Sequence, residues 1–104
     1  MIDETPEIDI EGIDDVIHGR LRLGVMAYLS ASSPATFPEL AKTLGATNGN
    51  LSTHLSKLEK AGFVRVEKGF KGKRPQTTAH LTKDGRAAWV AYLDAMRALL
   101  GSAG

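Results

Sequence analysis

The stretch Thr47-Asn48-Gly49-Asn50-Leu51-Ser52-Thr53-His54-Leu55-Ser56-Lys57-Leu58-Glu59-Lys60-Ala61-Gly62 reads as one helix with two unlike faces. Leu51, Leu55 and Leu58 recur at i, i+4 and i+7 and form an apolar stripe, while Asn50, Thr53, Ser56, Lys57 and Lys60 fall on the other side. Thr47 is placed to cap the first turn by accepting an orphan amide. Gly62 is placed to end the last one, because glycine takes the left-handed cap without steric cost. A solvated surface helix normally shows Glu and Lys outside. Amides, hydroxyls and a few cations instead suit the base edges and phosphates of a DNA groove.

Immediately upstream, Thr36-Phe37-Pro38-Glu39 has the form of a capping box, with proline in the first turn where a missing amide is tolerated. A short helix through Leu40, Ala41 and Leu44 follows, ended by Gly45. Two short helices joined by a glycine-containing turn make a helix-turn-helix, whose second helix enters a major groove. Downstream the period changes. Phe63, Val64 and Val66 are strand formers, as are Thr77 and Thr78 in the run from Gln76 to Leu81, so a two-stranded ribbon is expected with a glycine-rich tip between. Arg65, Lys68, Lys71, Lys73 and Arg74 crowd into ten residues against the single acid Glu67. Such density costs stability unless an anion arrives.

The ends of the chain read as helices too. Ile13, Val16, Ile17, Leu21, Val25 and Leu29 recur at helical steps, predicting a first helix over 13–30 with Asp14 and Asp15 in its first turn. Thr82 caps a last helix over 83–100. There Trp89, Leu93, Met96 and Leu100 form one stripe, with Ala88, Tyr92, Ala95 and Leu99 beside it. That arc is wider than one small core needs, so a second copy of the chain is expected to cover part of it. Ile13, Val16, Ile17, Trp89, Tyr92, Leu93, Met96, Leu99 and Leu100 are the expected dimer contacts. The segment 1–12 alternates acids with isoleucines around Pro6 and is expected to be a poorly ordered leader. A solvated tail is the plainer reading, and a weak fold-back onto the basic surface the alternative. The domain proper is then 13–100.

Composition narrows the function classes. The chain has 104 residues, one domain's worth, and its net charge of +1 conceals an asymmetry. Seven of its twelve acids precede Val16, leaving thirteen bases against five acids in the rest. A basic body with an acidic leader suits a polyanion-binding domain. The absence of cysteine excludes disulfides, thiolate zinc sites and cysteine nucleophiles. No apolar run reaches the roughly 20 residues of a membrane span, and the acidic start is unlike a signal peptide, so a cytoplasmic protein is expected. No nucleophile with a base, paired carboxylates or metal cluster suggests an enzyme, and no cofactor is expected.

The elements and motifs together resemble small winged-helix transcriptional regulators. The compact MarR-like group is the nearest in look, on Gly-Asn-Leu-Ser-x-His-Leu-x-Lys-Leu at Gly49 to Leu58 and Lys-x-Phe-x-Gly-Lys-Arg-Pro at Lys68 to Pro75. Arg20-Leu21-Arg22-Leu23, Leu40-Ala41-Lys42 and Leu81-Thr82-Lys83-Asp84-Gly85-Arg86 extend the resemblance, which covers roughly residues 17–99. It implies a mainly α fold with a two-stranded β-wing, a winged helix-turn-helix with an added C-terminal dimerisation helix. It implies as well a homodimer built from the first and last helices, with a recognition helix in each major groove and wings on the minor groove or backbone. Neither an effector site nor a target sequence is legible.

On this reading Thr47, Asn48, Asn50, Thr53 and Lys57 of the recognition helix, with Arg65, Lys68, Lys71, Lys73 and Arg74 of the wing, are the expected contacts to double-stranded DNA. Asn50 is the first choice for a base contact, because an amide pairs both ways with adenine. His54 lies near the leucine stripe and is expected to be packed and hydrogen-bonded. His18 and His80 sit on other elements, so a zinc site is not expected. Phe70 is expected to pin the wing. The rival function is a winged-helix interaction module without DNA readout, which would have no need of five clustered cations.

Overall fold

The computed structural model describes residues 8–103. Its order is α1 (Arg20–Ala31), β1 (Ala35–Thr36), α2 (Phe37–Leu44), α3 (Asn48–Lys60), β2 (Val64–Lys71), β3 (Arg74–Leu81) and α4 (Lys83–Ala103). The expected order of helix, helix-turn-helix, ribbon and helix is therefore present. Two features differ from the sequence reading.

The first helix starts seven residues later than its periodicity suggests. Asp14 is the cause: its Oδ1 accepts the amides of Val16 at 2.8 Å and Ile17 at 3.1 Å, and its carbonyl accepts that of His18 at 2.8 Å. A side chain that satisfies the backbone locally offers an alternative to the helical ladder. Gly19 is then extended, and α1 begins at Arg20. Ile17 still reaches the core, fully buried, so the periodicity reported burial correctly and conformation wrongly.

The ribbon has a third strand. Ala35 and Thr36, the latter expected only as a cap, pair with Ala79 and Thr78, giving the antiparallel order β1-β3-β2. Two residues are too few to show an alternation. Of the expected acidic leader, residues 1–7 fall outside the described residues. Residues 8–12 are described: Asp9 accepts the amide of Glu11 at 2.9 Å, and Gly12 lies so near α4 that a Cβ there would stand 3.2 Å from the Ala95 Cβ.

The core gathers Val25, Met26 and Leu29 of α1, Leu40 of α2, Leu51, Leu55 and Leu58 of α3, Val64 and Ala79 of the sheet and Tyr92 of α4. Each leucine contributes about 2 kcal/mol by leaving water. Tyr28 of α1 donates to Glu39 of α2, whose other oxygen accepts the Thr36 amide to complete the capping box. The last helix is joined to the α3–β2 junction at close range. Thr82 donates to the Gly62 carbonyl at 2.6 Å and accepts the Gly85 amide at 2.9 Å. A Cβ on Gly85 would stand 2.0 Å from the Phe63 carbonyl oxygen, so only glycine lets α4 start there.

Candidate nucleic-acid interface

The limits of α3 are set by its own residues. Thr47 Oγ1 accepts the Asn50 amide at 3.2 Å. At the other end Gly62 takes φ 82°, its amide reaching Glu59 O at 2.9 Å while that of Phe63 reaches Leu58 O at 3.0 Å. These two bonds are the Schellman pattern, which satisfies the last carbonyls. With the three leucines buried, Asn48, Gly49, Asn50, Ser52, Thr53, Ser56, Lys57 and Lys60 are all exposed.

At about 100° per residue, the direction opposite the leucines is held by Gly49, Thr53, Ser56 and Lys60. Asn50 and His54 turn toward α1, and Asn48, Ser52 and Glu59 toward the wing. The expected contacts thus all lie at the surface, but on three sides of the helix. Gly49, Ser52 and Ser56, absent from the expected set, share the outward and wing-facing sides. Their signal in the sequence was small size on a helix face, which is easily passed over beside amides and lysines. Thr53 Oγ1 donates to the Gly49 carbonyl at 3.0 Å, leaving its methyl and an acceptor site outward.

His54 is packed as expected. Its Nδ1 accepts from Arg22 Nη1 at 3.0 Å, and Arg22 Nε donates to the Val16 carbonyl. Burial first, then the positive charges of Arg22 and Lys57, hold the imidazole below its ordinary value of 6.5. His54 is therefore neutral at pH 7, with its proton on Nε2. Among the described residues no three His, Cys, Asp or Glu side chains gather as a metal group would require. His18 bonds instead to the Tyr92 hydroxyl at 2.9 Å.

The wing closes through Gly72 and Lys73 between paired Lys71 and Arg74, with Gly72 at φ 64°. A glycine-first two-residue loop matches the type II′ pattern, which suits strand twist. Lys68, Lys71, Lys73 and Arg74 are exposed and form no ion pair among the described residues. Arg65 differs, since it bonds to Glu67 at 3.2 Å. That bond and the charge of Arg65, helped by His80, hold the Glu67 carboxyl below its usual range. Phe70 corrects the sequence reading: it is 74% exposed at the tip and pins nothing. The pinning contact is Glu59, whose carboxylate accepts the Val66 amide at 3.2 Å and ties β2 to the last turn of α3. Helix and wing together border a hollow of about 560 Å³ lined by Asn48, Gly49, Ser52, Ser56, Lys68 and Thr77, among others.

The residues expected at a dimer contact divide. Ile17 is fully buried and Tyr92 3% exposed within the protomer, so both belong to its own core and offer a partner no surface. Trp89 stacks on Tyr92 at 5.9 Å. Ile13, Val16, Trp89, Leu93, Met96 and Leu99 are half-buried, and Leu100 is 65% exposed.

A helix-turn-helix whose second helix is flanked by a basic β-hairpin defines a winged-helix domain. The chain belongs to the winged helix DNA-binding domain family, whose model matches residues 21–100. An uncharacterized protein of Methanocaldococcus jannaschii is 33% identical over 78 residues, covering 75% of this chain and 85% of its own. Among solved structures, a transcriptional regulator homologue from Pyrococcus horikoshii OT3 is 30% identical with a TM-score of 0.78, covering 83% of this chain and 85% of its own. A MarR family transcriptional regulator from Silicibacter pomeroyi is 26% identical with a TM-score of 0.66, covering 82% of this chain but 56% of its own. Fold and family are those of transcription-regulator DNA-binding domains, not of enzymes. Among the described residues no helix is long and apolar enough to cross a membrane.

Proposed function

We propose that this protein is a sequence-specific transcriptional regulator that binds double-stranded DNA as a homodimer, with α3 in the major groove and the wing on the minor groove or backbone. One observation carries the reading. Asn48, Ser52 and Ser56 of α3 and the wing cation Lys68 border the same hollow, so a base edge and a phosphate of one duplex can be met together. Arg65, already paired with Glu67, contributes less than the other four cations. Dimerisation falls to the far end of α4, where half-buried Leu99 and exposed Leu100 follow the core-packed Met96. Two α3 helices would then meet half-sites about 34–36 Å apart.

A gel shift with random duplex at low and high salt tests DNA binding, and selection from a random pool tests specificity. A low-salt shift that weakens steeply with salt, plus an enriched sequence with two-fold symmetry, is the expected result. No shift at low salt would overturn the reading in favour of an interaction module. For the dimer, sedimentation should show two chains in the native protein and one in Leu100→Glu.

A further inference from the structure

The wing accounts for one flank of α3, but the groove it enters has two. A major groove is about 12 Å wide and a helix with its side chains about 10–12 Å across, so a docked helix has a sugar-phosphate strand close on either side. On the flank away from the wing, the structure shows a second hollow of about 390 Å³ between the start of α1 and the first half of α3. Gly19, Arg20 and Arg22 form one wall, and Thr47, Asn50 and His54 the other.

We propose that this hollow seats the phosphate strand on the side of α3 opposite the wing, with Arg20 as its cation and Arg22 as the residue that shapes it. The proposal rests on the reading that α3 enters the major groove. Three observations support it. Arg20 is exposed and has no acidic partner among the described residues. It stands at the first position of α1, whose first turn holds no acid and whose cap residue Gly19 supplies no side-chain bond. A cation there opposes the helix dipole, whereas α4 places Asp84 in its own first turn. A local rule broken in this way is typical of a functional position, and a phosphate would remove the conflict.

Arg22 cannot be the binding cation in the same sense, because its guanidinium is engaged by the Val16 carbonyl and His54 Nδ1. It bridges the Asp14 turn to the recognition helix and so fixes the width of the hollow. Asn50, turned to this flank, lies where a side chain can reach either a base edge or the adjoining phosphate.

The test uses the full chain and a duplex selected from a random pool. Arg20→Gln should leave the thermal midpoint no lower than native, or slightly raised as the cation opposing the helix dipole is removed, and weaken specific and random duplex alike, flattening the slope of log K against log salt by about 0.9 per protomer. Phosphate-ethylation interference should lose a sensitive phosphate on the strand opposite the one whose signal disappears in Lys73→Ala/Arg74→Ala. Arg20→Lys should restore the slope. The inference is overturned if Arg20→Gln matches the native slope and interference pattern while the wing variant shows its loss. It is overturned equally if Arg20→Lys fails as badly as Arg20→Gln, which would mark a structural role. If the native chain binds no duplex at low salt, the recognition-helix reading itself has failed and this inference goes with it.

Discussion

Helix α3 and the wing border one hollow, yet they are held in place by opposite means. Three buried leucines, a threonine cap and a glycine stop fix α3, and its outer face is largely uncharged. The wing hairpin projects into solvent with four cations that form no ion pair among the described residues and an exposed Phe70, held by the β2–β3 ladder and by Glu59 at its root. Discrimination between bases needs side chains fixed in place, because a misplaced donor loses its bond. Attraction to phosphate needs only charge at close range. If α3 and the wing meet DNA as proposed, this difference divides the work into selectivity for the helix and affinity for the hairpin, with the α3–β2 junction setting the angle between them.

The largest expected effect comes from breaking that junction. In Gly85→Ala, the new methyl would meet the Phe63 carbonyl oxygen, and backbone cannot move aside as a flexible side chain can. A loss of about 3 kcal/mol is expected, as for a severe overpacking change, read as a lower midpoint in urea unfolding. An unchanged midpoint would mean that α4 does not start as closely on Phe63 as described. Next in size is the wing itself. Lys73→Ala/Arg74→Ala should leave the fold intact, reduce affinity for every sequence and flatten the salt slope by about 1.8 per protomer, about 3.6 for the dimer, taking about 0.9 per phosphate lost and two cations removed per protomer. Unaltered affinity and slope would remove the wing from the interface.

What could be read in advance was whatever repeats or caps. The leucine stripe, the Thr36 and Thr47 caps and the glycine stops are local chemistry, and each is where the sequence placed it. Ile17 shows the limit: its spacing reported burial, but Asp14 two and three residues earlier in the turn took the amides a helix would have used. Tyr92 shows another. A wide apolar arc on α4 implied a partner, yet part of that arc was needed for the protomer's own core, and no pattern in one helix tells which neighbour covers it. Glu59 and Gly85 depend on contacts between elements, and nothing in their local sequence marks them as the bond and the gap that set the wing and α4 against α3.

On the helix side, Asn50 is the clearest test of base readout. Its amide can read adenine, but the side chain faces the α1 flank and not the outermost line of α3. Asn50→Ala should relax preference at one base position by about 1–3 kcal/mol while leaving the salt slope as it was. A uniform loss over all sequences would place the amide on phosphate instead.

The smallest effect concerns what holds α3 against α1. His54 must be neutral to accept from Arg22, and burial with two neighbouring cations keeps its folded value below 6.5. As pH falls below 6.5 the unfolded chain takes this proton before the folded one does. The contribution of neutral His54 is therefore complete above that pH, declines as pH falls toward the lowered folded value, and changes no further below it. His54→Gln keeps an acceptor for Arg22 but has no proton to gain. Thermal midpoints followed from neutral pH downward should show the native protein losing more stability than His54→Gln through that window. Equal losses would mean that the Arg22 bond does not depend on the charge of the ring, and that the α1 flank of the recognition helix is held by leucine packing alone.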